Sequence, residues 1–86
     1  MALNFFDSEG VPIAYTEDEI NIFFYDGRLV GIIDHGVVFS YTGRYLGLFE
    51  DGWLIDRNGD HVLFTENSAG GPLTPLPQIP PIPAVP

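Results

Sequence analysis

The chain contains no cysteine and no lysine, and one methionine and one tryptophan in 86 residues. Without cysteine there is no disulfide to staple a small core and no thiolate to hold a metal. With three arginines against twelve acids, the net charge is −9. Such a surface repels nucleic acid and anionic lipid, and no basic cluster offsets it. No run approaches the roughly 20 apolar residues that cross a bilayer as a helix. The start, "MALNFFDSEG", lacks a basic segment followed by an apolar one, so no signal peptide is read and the expected location is the cytoplasm. No stretch has helical periodicity. What is present is apolar: 45% hydrophobic and 14% aromatic residues, too many for a disordered chain and sufficient for one small domain.

The apolar residues come in a repeat. "YTGRYLGLFEDG" (41–52) follows "YDGRLVGIIDHG" (25–36) at an interval of 16 residues, and the same step reaches Gly59; backwards, with one extra residue, it reaches Gly10. Four units are therefore anchored at Gly10, Gly27, Gly43 and Gly59. Four residues before the anchors stand Phe6, Phe23, Phe39 and Ile55. Three after stand Ile13, Val30, Leu46 and Val62; four after, Ala14, Gly31, Gly47 and Leu63; five after, Tyr15, Ile32, Leu48 and Phe64. Short β-branched and aromatic runs bounded by turn residues read as strands, and the anchor glycines supply the positive φ of a tight hairpin turn. "DHG" at 34–36 and "EDG" at 50–52 join one hairpin to the next. The fold class is all-β: eight short strands in up-and-down order, forming four glycine-anchored hairpins over residues 1–69.

Alternation along the second strand of each unit puts Ile13/Tyr15, Val30/Ile32, Leu46/Leu48 and Val62/Phe64 on one face. That face is large and apolar throughout and is expected to be the core, with Phe6, Phe23, Phe39 and Ile55 from the first strands. The opposite face carries the small column Ala14, Gly31 and Gly47, which lets backbones or rings approach closely. Leu63 interrupts the column, so the fourth unit is expected to differ locally. One hairpin cannot bury its apolar face alone, and a body of this size has a marginal core; a partner subunit or the tail is expected to help.

From Gly70 the chain reads "GGPLTPLPQIPPIPAVP". Leu73, Leu76, Ile79, Ile82 and Val85 recur every third residue. Polyproline II has three residues per turn, so the five side chains form one stripe, a register that a solvated linker has no reason to keep. The spacing predicts a tail, residues 70–86, that docks on the body or on a neighbouring copy. About 15 residues at ~3.1 Å each give roughly 45 Å of reach, against a body about 28 Å across.

Four hairpins, in "FFDSEGVPIAY", "FFYDGRLVGII", "FSYTGRYLGLF" and "LIDRNGDHVLF", followed by "PLTPLPQIPPIP", resemble the four-fold β-flower family across nearly the whole chain. The resemblance implies four hairpins as petals about a pseudo-four-fold axis, in a small bacterial protein. It implies no functional residues.

The residues themselves carry no catalytic, cofactor-binding or metal signature. His35 and His61 fall in different turn classes, at opposite ends of the hairpins, and read as surface histidines rather than a pair. Ser8, Ser40 and Ser68 lack any nucleophile context. Asp7 and Asp56 share a column three before the anchor; facing carboxylates are one reading, but an Asp entering a turn and accepting backbone amides is the better one. Glu17, Asp18, Glu19, Asp34, Glu50, Asp51 and Glu66 close the units and would gather at one end, where a hard cation is conceivable but solvated turn acids suffice. Arg28, Arg44 and Arg57 share the other end with Asp7, Glu9, Asp26, Asp56 and Asp60, making that pole the less acidic. Two functional expectations follow. The first is a non-enzymatic structural or interaction module, homo-oligomeric or tail-docked. The alternative is a binder of a sugar or heterocycle stacking on Tyr41, Tyr45 and Trp53. Neither involves nucleic acid, membrane or cofactor.

Overall fold

The computed structural model describes residues 2–84. Its strands are β1 (Leu3–Phe6), β2 (Pro12–Thr16), β3 (Asn21–Phe24), β4 (Leu29–Asp34), β5 (Val37–Ser40), β6 (Tyr45–Glu50), β7 (Trp53–Asp56) and β8 (His61–Thr65). They pair antiparallel in chain order and close into an eight-stranded barrel. No helix forms among the described residues, so none is long and apolar enough to cross a membrane.

The four anchor turns are copies of one another. Gly10 N donates to Asp7 O (3.0 Å) while Asp7 N donates to Val11 O (2.9 Å), and the same two bonds recur at Phe24–Arg28, Ser40–Arg44 and Asp56–Asp60. The anchor glycines have φ between +81° and +93°, as a three-residue hairpin loop with a left-handed third residue demands. Asp7 Oδ1 accepts from Glu9 N and Val11 N, and Asp56 Oδ1 from Asn58 N and Asp60 N. These two carboxylates are turn formers, each occupied by its own loop. The connecting turns His35–Gly36 and Asp51–Gly52 have positive φ at both residues, the type I′ pattern of two-residue hairpins. The first connection holds the extra residue, and there Asp18 Oδ1 accepts from Ile20 N and Asn21 N.

Within every hairpin the register slips at the same place. Phe5 pairs with Ala14 but Phe6 with Pro12, and the slip recurs at Ile22/Phe23, Val38/Phe39 and Leu54/Ile55. The residue left over is the third after each anchor: Ile13, Val30, Leu46 or Val62. An extra residue in one strand breaks the in–out alternation, and a one-residue shift exchanges the faces. The expected core face is corrected accordingly. The barrel interior is built from Phe5, Ile22, Val38 and Leu54 on the first strands, with Ala14, Ile33, Phe49 and Leu63 on the second. The small column thus lies inside. Ile13, Val30 and Leu46 pack against this interior, whereas Phe6, Phe23, Phe39 and Ile55 pair across to Phe64, Tyr15, Ile32 and Leu48 on the outer face.

The small column brings hairpins together. A Cβ at Gly31 or Gly47 would overlap the carbonyl oxygen of Phe39 or Ile55 in the next hairpin. Where those glycines stand, the rungs Gly31–Ser40 and Gly47–Asp56 form. The equivalent rung between Leu63 and Asp7 is missing, and β8 meets β1 through Phe64–Phe6 and Thr65–Phe5 alone. A leucine side chain forbids the close approach that glycine permits, so the local difference expected of the fourth unit is a shortened closing seam. The rungs Asp34–Val37 and Glu50–Trp53 at the other junctions are replaced here by a side-chain clasp. Glu66 accepts from Asn4 N and Asn4 Nδ2, each at 2.7 Å.

Candidate functional site: the outer face and the tail

The outer face of the barrel has two unequal halves. At the junction of the fourth and first hairpins, Phe6 stacks on Phe64 with ring centroids 5.2 Å apart, and Trp53 packs beside them; all three are buried. At the first–second junction Tyr15, 1% exposed, lies between Phe23 (5.9 Å) and Tyr25 (5.4 Å). Tyr25 Oη donates to Asn4 Oδ1 at 2.7 Å. Burial, then the Glu66 carboxylate and Tyr15, push its phenol up to about 12. At the second–third and third–fourth junctions the outer residues stay open: Leu29, Tyr41, Tyr45 and Leu48 are all exposed.

Residues 69–84 account for the difference. Ala69 N donates to Asp51 O, and Trp53 Nε1 donates to Gly70 O at 3.1 Å. Pro72–Pro75 then border a small hollow of about 80 Å³ with Ser8, Trp53, His61, Val62 and Phe64. Further on, the Leu76 carbonyl lies against Gly10; Gln78 N donates to Gly10 O (2.9 Å) and Ala84 N to Tyr25 O (2.8 Å). Pro75 and Pro80 are half-buried. The stripe is not the face that meets the barrel: Leu73, Leu76, Ile79 and Ile82 are 100%, 90%, 93% and 95% exposed. Val85, its fifth member, lies outside the described residues. The physical reason is that the barrel presents carbonyl oxygens at Gly10 and Tyr25. The tail answers them with N–H groups six residues apart, one face of a three-residue period, and the apolar stripe is carried on another.

The open half contains two hollows on either side of Tyr41. One, of about 560 Å³, is lined by Phe24, Arg28, Leu29, Val30 and Tyr41. The other, of about 630 Å³, includes Ile20, Ile32, Asp34, His35, Phe39 and Tyr41. Arg28 stacks over the Phe24 ring at 5.0 Å and bonds Asp26 at 2.7 Å. The Arg28 amide, and then its guanidinium, hold the Asp26 carboxyl below the usual carboxylate range.

The other residues singled out in the sequence are dispersed. His35 bonds Asp34 in an exposed connecting turn, while His61 sits edge-on to Trp53 at 4.9 Å. Among the described residues no three His, Asp or Glu side chains are placed to share a cation. Ser40 Oγ accepts from Arg44 N in its own turn. Of the three rings proposed for ligand stacking, Tyr41 and Tyr45 are open, but Trp53 is 5% exposed, because its indole is packed by Phe64 and its one donor is taken by Gly70. Sequence reasoning placed Glu66 among the unit-closing acids but missed its partner Asn4, and it missed the amides of Gln78 and Ala84; nothing in the type or spacing of these three marks them.

No curated protein and no solved structure matches the chain. The family model described as 4-fold beta flower protein matches residues 3–86, the span that includes all four hairpins and the proline-rich segment. The chain is a member of the four-fold β-flower family.

Proposed function

We propose that the protein is a non-enzymatic interaction module that self-associates, with residues 70–86 forming a docked polyproline-II segment of its packing. One observation carries the reading: four large apolar side chains, Leu73, Leu76, Ile79 and Ile82, stand in a row at 90% exposure or more. Monomeric soluble proteins rarely display such a continuous apolar patch, and where one exists it marks a contact surface. Among the described residues no catalytic constellation competes with it: the carboxylates of Asp7, Asp18 and Asp56 are occupied by turn amides, and the two histidines are apart. Sedimentation equilibrium of the whole chain tests the reading. Association at micromolar concentration that is lost in Ile79→Asp supports it; a monomer up to about 100 μM, on the scale of weak protein contacts, refutes it.

A second reading rests on the hollow beside Phe39 and Tyr41. Its aromatic and aliphatic wall with Asp34 and Ser40 at the edge fits a sugar or heterocycle. A thermal-melt screen of such compounds with Tyr41→Ala as control decides it: no compound that raises the melting temperature of the parent but not of the variant removes this reading.

A further inference from the structure

The seat of the tail has a vacant counterpart. At the fourth–first junction, residues 72–75 border a hollow built by His61 and Val62, second and third after their anchor, and by Ser8, two before the next anchor. At the second–third junction the same three columns are Leu29, Val30 and Tyr41, and these line the hollow of about 560 Å³. The two sites are repeats of one another, two units apart around the barrel. One is bordered by the chain's own proline-rich segment. The other is bare and more apolar, since Leu29 and Tyr41 replace His61 and Ser8.

Charge narrows what fills it. Each chain carries −9, which opposes the approach of a second copy. Residues 70–86 contain no ionisable side chain, and the vacant hollow contributes only Arg28, already bonded to Asp26. Tail stripe and hollow are therefore a pair of surfaces through which two such acidic chains meet without setting carboxylates against each other. Aromatic-lined grooves are also the usual receptors for proline-rich segments.

We infer that the hollow formed by Phe24, Leu29, Val30 and Tyr41 receives the exposed tail stripe, Leu73 to Ile82, of a second copy of this chain. The inference rests on the self-association proposed above and adds its receptor. The contact is one-way: tail of one copy, barrel of the next. Each chain then has one donor and one acceptor surface, and copies add until the arrangement closes or the concentration limits it.

Complementation tests this with the full-length chain. Ile79→Asp destroys the donor and Tyr41→Asp the acceptor; both side chains are exposed, and unchanged thermal melts verify each fold, with Ile82→Asp and Leu29→Asp as replacements if a melt moves. Sedimentation should give each variant alone the 9.5 kDa chain mass. Their equimolar mixture should form a pair and stop there, because one intact donor meets one intact acceptor. The parent chain should exceed the mixture in mean mass as concentration rises. If Tyr41→Asp associates like the parent while Ile79→Asp does not, the receptor is wrong and the self-association stands. A mixture that stays monomeric overturns the one-way contact. A parent chain that is itself monomeric removes both.

Discussion

Glu66 grips Asn4 with both carboxylate oxygens, one on the backbone amide and one on the side-chain amide, across 62 residues of sequence. Asn4 passes the link on by accepting from Tyr25 Oη. Three residues from three hairpins thus hold the junction at which the barrel lacks a rung. Glu66→Ala should cost about 1 kcal/mol, a charge-assisted bond discounted for exposure, or a melting-temperature drop of about 4–8 °C for a domain of this size. Hydrogen exchange should accelerate first in β1 and β8 and leave β5 unchanged. Equal acceleration throughout the barrel would show that the clasp has no local role.

Gly47→Ala should destabilise the barrel. The added methyl meets the Ile55 carbonyl, which is ladder backbone and cannot rotate away. Overpacking of this kind costs about 1–3 kcal/mol. Ala14→Gly is the converse test, since Ala14 keeps its rung to Phe24; its cost should be about 1 kcal/mol from lost packing and backbone freedom. Chemical denaturation of both variants measures the pair.

Gly10 and Gly43 occupy the same turn position with φ of +81° and +89°. Both lose about 1–2 kcal/mol on substitution by alanine for the left-handed backbone. Only at Gly10 does the new Cβ approach the Leu76 carbonyl, at 2.5 Å; around Gly43 there is nothing within 4 Å. Gly10→Ala should therefore melt lower than Gly43→Ala, and truncation after Gly71 should erase the difference. The same truncation should shift Trp53 fluorescence to the red as its outer face is wetted. Identical melts for the two alanine variants in the full chain would place the tail elsewhere in solution.

Tyr25 and Asp18 act at opposite ends of the pH range. The unfolded Tyr25 phenol ionises near 10.0 and the folded one near 12, so the Tyr25 contribution is fully present below pH 10 and is lost between pH 10 and 12. Phenolate absorbance should show a late-titrating step, and Tyr25→Phe should remove it. Asp18 works at the other end: the amides of Asn21 and Ile20 lower its carboxyl from 3.8 to about 2. Its contribution is present above pH 3.8 and is lost as pH falls towards 2. Asp18→Asn should flatten the acid limb of a pH–stability curve over that range.

Strand number, turn positions and repeat were legible because each rests on local chemistry: glycine at positive φ, Asp7 and Asp56 accepting amides, apolar runs four to six residues long. The faces were not, because Ile13, Val30, Leu46 and Val62 are each a supernumerary residue. A bulge looks like an ordinary strand residue in a linear pattern, yet it reverses every assignment beyond it. The column Ala14, Gly31, Gly47 held the clue, since only the crowded inside of a narrow barrel asks for so little side chain. The three-residue register of the tail was equally plain. Which of its faces meets the barrel depends on the amides of Gln78 and Ala84, and one backbone N–H is like another until its acceptor is in place.

The shortened seam gives the ring a preferred place to open. Local opening starts where the fewest rungs must break, and here that is between Thr65 and Phe5. Once parted, β1 and β8 become two unsatisfied strand edges, each able to pair with the opposite edge of another molecule. Leu63 and the clasp of Glu66 on Asn4 therefore decide more than closure within one molecule: they set how readily the same eight strands exchange between molecules, and a chain with glycine at position 63 and an intact clasp would be the slower of the two to swap.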